Sequence, residues 1–283
     1  MKIAIQGDPG SNHHVVTQKL VNAKYDLYCA KSFSELFSVV NAGEADFGIL
    51  AIENSIAGSI VQNYDLISKY NFEILGEAYL RIEHCFIGIP GTKVSEITAA
   101  YSHEMALKQC EDFLSRNNIE GREYYDTAAS VPFVKESKDK HLAGIAPSIA
   151  AEIWGMEVLQ KGIETNKENY TRFIVAAPHD RSEIVKEVLP KNDSKETKVM
   201  IEFGLKHEPG SLAIILAVLA TFGFNLTKIE SRPIIGDKWK YRFFVDFVSS
   251  KSIDDIEHGL KEVAAVSSHL KIHGMFPVGQ YFG

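Results

Sequence analysis

The sequence predicts an α/β protein of two lobes followed by a smaller α+β unit, and three observations carry that prediction. Short apolar runs alternate with helix-period segments over residues 1–177, as in parallel sheets covered by helices. A polar, proline-bearing stretch, residues 178–197, breaks that rhythm and reads as a linker. From residue 198 to 283 the order becomes βαββαβ, the ferredoxin-like plan. A chain of 283 residues with 45% apolar and 24% charged side chains has the length and composition for such cores.

Taken in order, Lys2–Gln6 is a strand that ends in GDPGS, with Ser11 able to cap the next helix. Leu27–Ala30 is a second strand, and Ser32 with Glu35 predicts a capping box for a helix through Val40. Phe47–Ile52 is continuously apolar, which suits a strand covered on both faces, and it runs into Glu53, Asn54 and Ser55. Gly58 then precedes a helix through Ser68. Phe72–Ile89 is strand-like but interrupted by Glu83 and His84, and there the chain is expected to cross into a second lobe. Thr98–Tyr101 is a strand, with Ser102 the expected cap of a helix whose apolar face holds Ala106, Cys110 and Phe113. Strands Arg122–Tyr125 and His141–Ala146 follow, then a helix through Trp154 and a last strand, Asn169–Ala176. Lobe one is expected to comprise 1–77 with 163–177, and lobe two 78–162. Strands Val199–Leu205, Leu226–Pro233, Tyr241–Val248 and Leu270–Phe276, with helices Gly210–Phe222 and Ile253–Val266, make up the last unit.

Composition narrows the function. A net charge of -7 argues against nucleic acid, and no apolar run approaches the ~18–20 residues of a membrane span. Cys29, Cys85 and Cys110 are odd in number and widely spaced, as reduced core thiols are. Met1 leads straight into a strand, so no signal peptide is expected and the cytoplasm is the expected compartment. Neither a glycine-rich phosphate loop nor a spaced metal-ligand set is present, and His13 and His14 are adjacent and point apart on a helix, so no cofactor or metal is expected.

What remains are polar groups at strand ends, where open α/β sheets bind ligands: Glu53, Asn54, Ser55, Ser102, Asp126, Thr127, Thr171 and Arg172. Taken singly, each of the serines reads as a helix cap; repeated at five strand ends, the pattern reads as a site for a small anionic substrate. Thr171 offers a hydroxyl donor and Arg172 a planar fork suited to a carboxylate.

The stretches QGDPGSNHH, AIENSIAGSIVQNYDL, YSHEMALKQC, YYDTAAS, NYTRF and NLTKIESRP occur in that order, and through them the chain resembles the prephenate dehydratase family over essentially its whole length. The resemblance implies a carbon–oxygen lyase that converts prephenate to phenylpyruvate, water and carbon dioxide in phenylalanine biosynthesis. It also implies a two-lobed fold like that of periplasmic binding proteins, with a C-terminal ACT domain. Bifunctional members carry a helical chorismate mutase ahead of this fold, and with the first strand at Lys2 none is expected here. By resemblance Thr171 stands at the leaving hydroxyl, with Glu53 the rival general acid. Asn54, Ser55, Ser102, His103, Asp126, Thr127 and Arg172 would hold the carboxylates, with Phe173 packed behind Thr171. L-Phenylalanine would act as effector between ACT domains of a homodimer or homotetramer, against Gly210, Ser211, Leu212, Ala213, Asn225 and Leu226, with Glu230, Ser231 and Arg232 alongside. The chain departs from the family at Glu104 and Met105, which replace Pro-Gln, in DTAAS, which lacks a glycine, and at Ser211 and Ala213. A non-catalytic two-lobed protein that senses amino acids is the rival function, because fold alone does not separate the two.

Overall fold

The computed structural model describes residues 1–206, 208–234, 236–237 and 239–283. In the first lobe β1 (Lys2–Gln6), β2 (Asp26–Ala30) and β3 (Phe47–Asn54) are parallel, connected by helices α1 (Asn12–Leu20) and α2 (Phe33–Asn41). The unbroken apolar run of β3 is explained by burial on both faces. Ile49 and Ala51 pack with Val16 of α1, and Leu50 and Ile52 pack with Leu36 and Phe37 of α2. A two-residue strand β4 (Gly58–Ser59) folds back on the end of β3 before α3 (Val61–Tyr70). The Ser32 hydroxyl does cap α2 through the Glu35 amide, but the Glu35 carboxylate takes the Lys31 amide instead of closing the box. Ser11 is the first residue before α1, yet its side chain makes no capping bond.

The chain leaves this sheet later than expected. β5 (Glu73–Arg81) runs unbroken through positions 77 and 78, so the crossing to lobe two lies at Ile82–His84. The second sheet has the order β10 (Glu157–Gln160), β6 (Cys85–Gly88), β9 (Leu142–Ala146), β7 (Ala99–Ser102), β8 (Glu120–Glu123). Short helices α4 (Glu104–Gln109), α5 (Glu111–Arg116), α6 (Ser130–Ser137) and α7 (Ser148–Trp154) connect it. The cap of α4 is His103; the Ser102 hydroxyl is fully buried and donates to the Ile145 carbonyl. The return crossing lies beside the outward one. The buried Glu164 carboxylate accepts from the His84 amide at 3.0 Å and from Arg81 at 2.8 Å, and the Ile82 amide donates to the Asn169 carbonyl at 2.7 Å. β11 (Tyr170–Ala177) then inserts antiparallel between β3 and β5.

Residues 178–197 are more than a linker. They contain α8 (Ser182–Val188), whose Val185 is buried in the first-lobe core. The C-terminal unit is a sheet of order β13 (Asn225–Pro233), β14 (Tyr241–Ser249), β12 (Thr197–Gly204), β15 (His269–Pro277), covered by α9 (Ser211–Thr221) and α10 (Ile253–Val266). Its other face packs on lobe one, where Met200, Phe244 and Phe276 join one core with Leu50, Ile52 and Ile174. After β15 the chain returns to lobe one, and β16 (Gln280–Phe282) pairs with β5. Two α/β lobes joined by a double crossing are followed by a last unit that is ferredoxin-like.

Candidate functional site

A cavity of about 610 Å³ lies between the two lobes. Lobe one contributes Asn12, Asn54, Ala57–Gln62, Asn169 and Thr171; lobe two contributes His84, His103, Met105, Ala106, Gln109 and Thr127. Three helices begin in this wall, α1 at Asn12, α3 at Val61 and α4 behind His103. First-turn amides lack a carbonyl partner within their helix and suit an anion, although in α4 the Met105 and Ala106 amides are already taken by the His103 side chain and carbonyl. Among the described residues no lysine or arginine lines it. An anion held here would therefore meet backbone amides and hydroxyl, amide and imidazole side chains. Burial lowers the His84 imidazole below its ordinary value, although its 2.8 Å hydrogen bond to Gln109 opposes that shift.

Thr171 sits at the floor, 8% exposed. Its neighbour across the strand pair is Asn54, whose amide geometry is fixed at both ends. The Asn54 carbonyl oxygen accepts from the Ile56 and Ala57 amides, at 3.0 and 2.8 Å, which leaves Nδ2 pointing back at β11. Nδ2 donates to the Thr171 hydroxyl oxygen at 3.0 Å and to the Asn169 side-chain oxygen at 2.8 Å. Because Asn54 is the donor, the Thr171 proton has to point elsewhere, and the cavity is the open direction. Behind Thr171, Phe173 is buried edge-on against the His13 ring at 5.0 Å and is not part of the cavity wall. Burial drives the His13 imidazole down to about 3, so it is neutral, and its Nε2 accepts the Ala51 amide.

Several expected site residues lie elsewhere. Strand alternation turns Arg172 to the opposite face of β11, away from the cavity. It is 4% exposed there, ion-paired with Glu77 at 2.6 Å and with Asp246 of β14, so it has no reach to a substrate carboxylate. A register shift in the β11–β3 pair places Glu53 opposite Arg172, and Glu53 points the same way, bound to Lys228 of β13 at 2.8 Å. Glu53 is outside the cavity wall and is not placed as a general acid. Ser102 is sealed beneath β9, and Ser55 ties the Glu168–Tyr170 backbone to the β3 turn. The Asp126 carboxylate caps the Ala128 and Ala129 amides at 2.8 and 3.0 Å, against the glycine loop of β1. Gly10 in that loop has φ +100, and a Cβ there would lie 2.9 Å from Ala150, so only glycine lets the two lobes approach this closely. Of the proposed substrate contacts, Asn54, His103, Thr127 and Thr171 line the cavity.

In the C-terminal unit Gly210 takes the left-handed conformation ahead of α9, and the Ser211 hydroxyl donates to the Lys206 and Glu208 carbonyls. Leu212 packs into the unit's core; Ala213, Asn225 and Leu226 lie on α9 and at the start of β13. Glu230 and Arg232 point to lobe one, where Glu230 accepts from Ser59 at 2.6 Å and Arg232 pairs with Asp65 at 2.5 Å. They join the two units, and Ser231 alternates to the exposed side. Asn12, Gln62, His84, Gln109 and Asn169 border the cavity and were not singled out from sequence as contacts. Four of them stand within or beside the quoted motifs, but an Asn or Gln on a helix or turn reads first as surface.

A prephenate dehydratase family model matches residues 3–181, and an ACT domain model matches residues 199–266. An Arabidopsis thaliana protein described as arogenate dehydratase/prephenate dehydratase 6, chloroplastic, is 32% identical over 297 residues, covering 98% of this chain and 69% of that one. A solved structure of GqqA, described as a novel type of quorum-quenching acylase, aligns at TM-score 0.85 and 27% identity, with 98% of both chains covered. A prephenate dehydratase from Arthrobacter aurescens in complex with L-Phe aligns at TM-score 0.83 and 24% identity, covering 98% of this chain and 90% of that one. Among the described residues no hydroxyl or thiol of the cavity wall is hydrogen-bonded to an imidazole, so the pairing that activates an acyl-transfer nucleophile is not built here.

Proposed function

The chain belongs to the prephenate dehydratase family, and from that premise we propose how its own residues perform the reaction and where it is controlled. The enzyme is a decarboxylating dehydratase. Prephenate, a dianion, breaks its ring-to-carboxylate bond and its C–OH bond together, giving the phenylpyruvate anion, carbon dioxide and hydroxide, which takes a proton to become water. Electrons from the first bond complete the aromatic ring as the second leaves. The protein has to help hydroxide leave and to strip water from the departing carboxylate. Thr171 supplies the first: Asn54 occupies its oxygen from one side, so its proton is directed to the leaving group. Ile60, Val61, Ile82, Met105 and Ala106 supply an apolar surround for the second. The carboxylates fall to first-turn amides of α1 and α3, with His103 and Thr127 across the cleft.

The effector reading rests on the ACT domain. Within one chain Gly210–Ala213 and Asn225–Leu226 lie at opposite ends of α9, an 11-residue helix, hence ~16 Å apart. They can wall a single phenylalanine only if one wall comes from a second copy, so the regulated form is at least a dimer. Ile214, Leu226 and Ile229 are exposed apolar side chains on this side of the unit, as such an interface needs. Control reaches the cavity along β13, since Lys228 and Glu230 both hold Ser59 of its wall. No helix among the described residues is long and apolar enough to cross a membrane, and the cytoplasm is the proposed compartment. Incubating the full chain with prephenate, then with arogenate, while following phenylpyruvate and phenylalanine tests the activity. Sedimentation with and without phenylalanine tests the assembly. A chain that forms neither product, or one that stays monomeric while inhibited, overturns the corresponding half.

A further inference from the structure

A threonine hydroxyl is a weak acid, so a single one is a poor match for a departing hydroxide. The cavity floor holds a second donor. Asn169 is fully buried, its side-chain nitrogen has no partner among the described residues, and the residue borders the cavity. Which end of that amide is nitrogen follows from the hydrogen-bond chain. Asn54 is pinned by two backbone amides on its oxygen, so it donates to Asn169, and what it donates to must be the Asn169 oxygen. Asn169 Nδ2 is therefore turned away from Asn54. Asn169 immediately precedes β11, two residues before Thr171, and both receive the one Asn54 nitrogen. Two side chains that meet at one nitrogen lie close together. A buried donor left without an acceptor is costly, and a substrate oxygen placed here would satisfy it.

We propose that Asn169 is a second catalytic donor, whose side-chain nitrogen meets the same leaving hydroxyl oxygen as Thr171. This rests on the dehydratase reading and adds a role to it. As the C–O bond breaks, charge gathers on that oxygen, and two preset donors stabilise it more in the transition state than in the bound substrate. Loss of one such donor typically lowers kcat by about 10²-fold, with KM little changed.

N169A and N169D, assayed on the full chain with prephenate, test this against wild type and T171S, with thermal unfolding as the check on folding. The expected result is a kcat fall of about 10²-fold in both variants with KM within about threefold, and losses in the N169A/T171S pair that do not simply multiply. N169D has a further signature: its carboxylate repels the leaving hydroxide, but its protonated form donates. Its activity relative to wild type should therefore climb as pH falls, which loss of a packing contact would not produce. A kcat within about threefold of wild type, or a loss confined to KM, overturns the inference while the dehydratase reading stands. A wild-type chain inert toward prephenate overturns both. Should the variants fail to fold, the Asn169 side-chain amide resonance of the wild-type protein decides: it should shift when 4-hydroxyphenylpyruvate, which keeps a ring oxygen where prephenate carries its hydroxyl, saturates the site, and an unmoved resonance overturns the proposal.

Discussion

Arg172 offers a direct test of which face of β11 faces substrate. Replacing it with methionine keeps the bulk of the side chain and removes its charge. Glu77 and Asp246, whose side chains are 0% and 1% exposed, then lose the guanidinium between them. Glu77 keeps Lys198 at 3.2 Å and the Gly279 amide at 3.1 Å, so its charge remains partly met. Among the described residues Asp246 keeps no side-chain partner, since its second oxygen already lacks one. Breaking a buried pair in this way costs about 3–5 kcal/mol. At roughly 2–4 °C per kcal/mol for a chain of this size, the midpoint of unfolding should fall on the order of 10 °C. Thermal and urea unfolding, together with KM for prephenate on the folded fraction, measure both consequences. The expected outcome is a large stability loss with KM nearly unchanged, and Arg172→Lys in between, because an ammonium reaches one carboxylate where the fork reaches two. A normal midpoint with KM raised by orders of magnitude would place Arg172 on the substrate and refute this geometry.

Other outcomes follow from the same contacts. Glu53→Gln should keep near-normal turnover, because its carboxylate meets Lys228 and not the cavity; abolished activity would restore it as the acid. Lys228→Met should weaken inhibition by phenylalanine several-fold while uninhibited kcat holds, since it cuts a tie between β13 and Ser59; unchanged inhibition would move the coupling elsewhere. His13 sets an acid dependence. Between 6.5, its ordinary value, and about 3, the unfolded chain binds a proton that the folded chain does not, so stability falls as pH falls through that window. The slope is about 1.4 kcal/mol per pH unit for this group, and His13→Phe should flatten it in pH-stepped urea unfolding.

Much of the fold was legible because the signals are local. The alternation of strands and helices and the ferredoxin-like order were carried by apolar periodicity, and the interruption at Glu83 and His84 marked the crossing that the 77/78 lobe boundary placed too early. Asn54 and Thr171 line the cavity and stood out for the same reason, as polar residues at the ends of apolar strands. What was hidden depends on distant pairing. Alternation says that Thr171 and Arg172 point apart, but both faces of β11 are covered, so sequence does not say which is the cavity face. That answer needs Asp246, 74 positions away in another unit. The β3–β11 register shift, which turns Glu53 outward, leaves no trace in composition. β16 is three residues long, too short to read, yet it binds the chain's end to lobe one. Ser102 looked like a cap because serine before a helix is one, whereas its hydroxyl had a buried carbonyl to satisfy.

The central claim is that this cavity removes hydroxide and carbon dioxide from prephenate through the Thr171 hydroxyl, and turnover of prephenate by Thr171→Ala and Thr171→Ser beside the wild-type full chain tests it most directly. The account predicts phenylpyruvate from wild type, a kcat about 10²–10⁴-fold lower for the alanine variant with KM comparatively unchanged, and partial recovery with serine. Near-normal turnover by Thr171→Ala in a folded chain would contradict it.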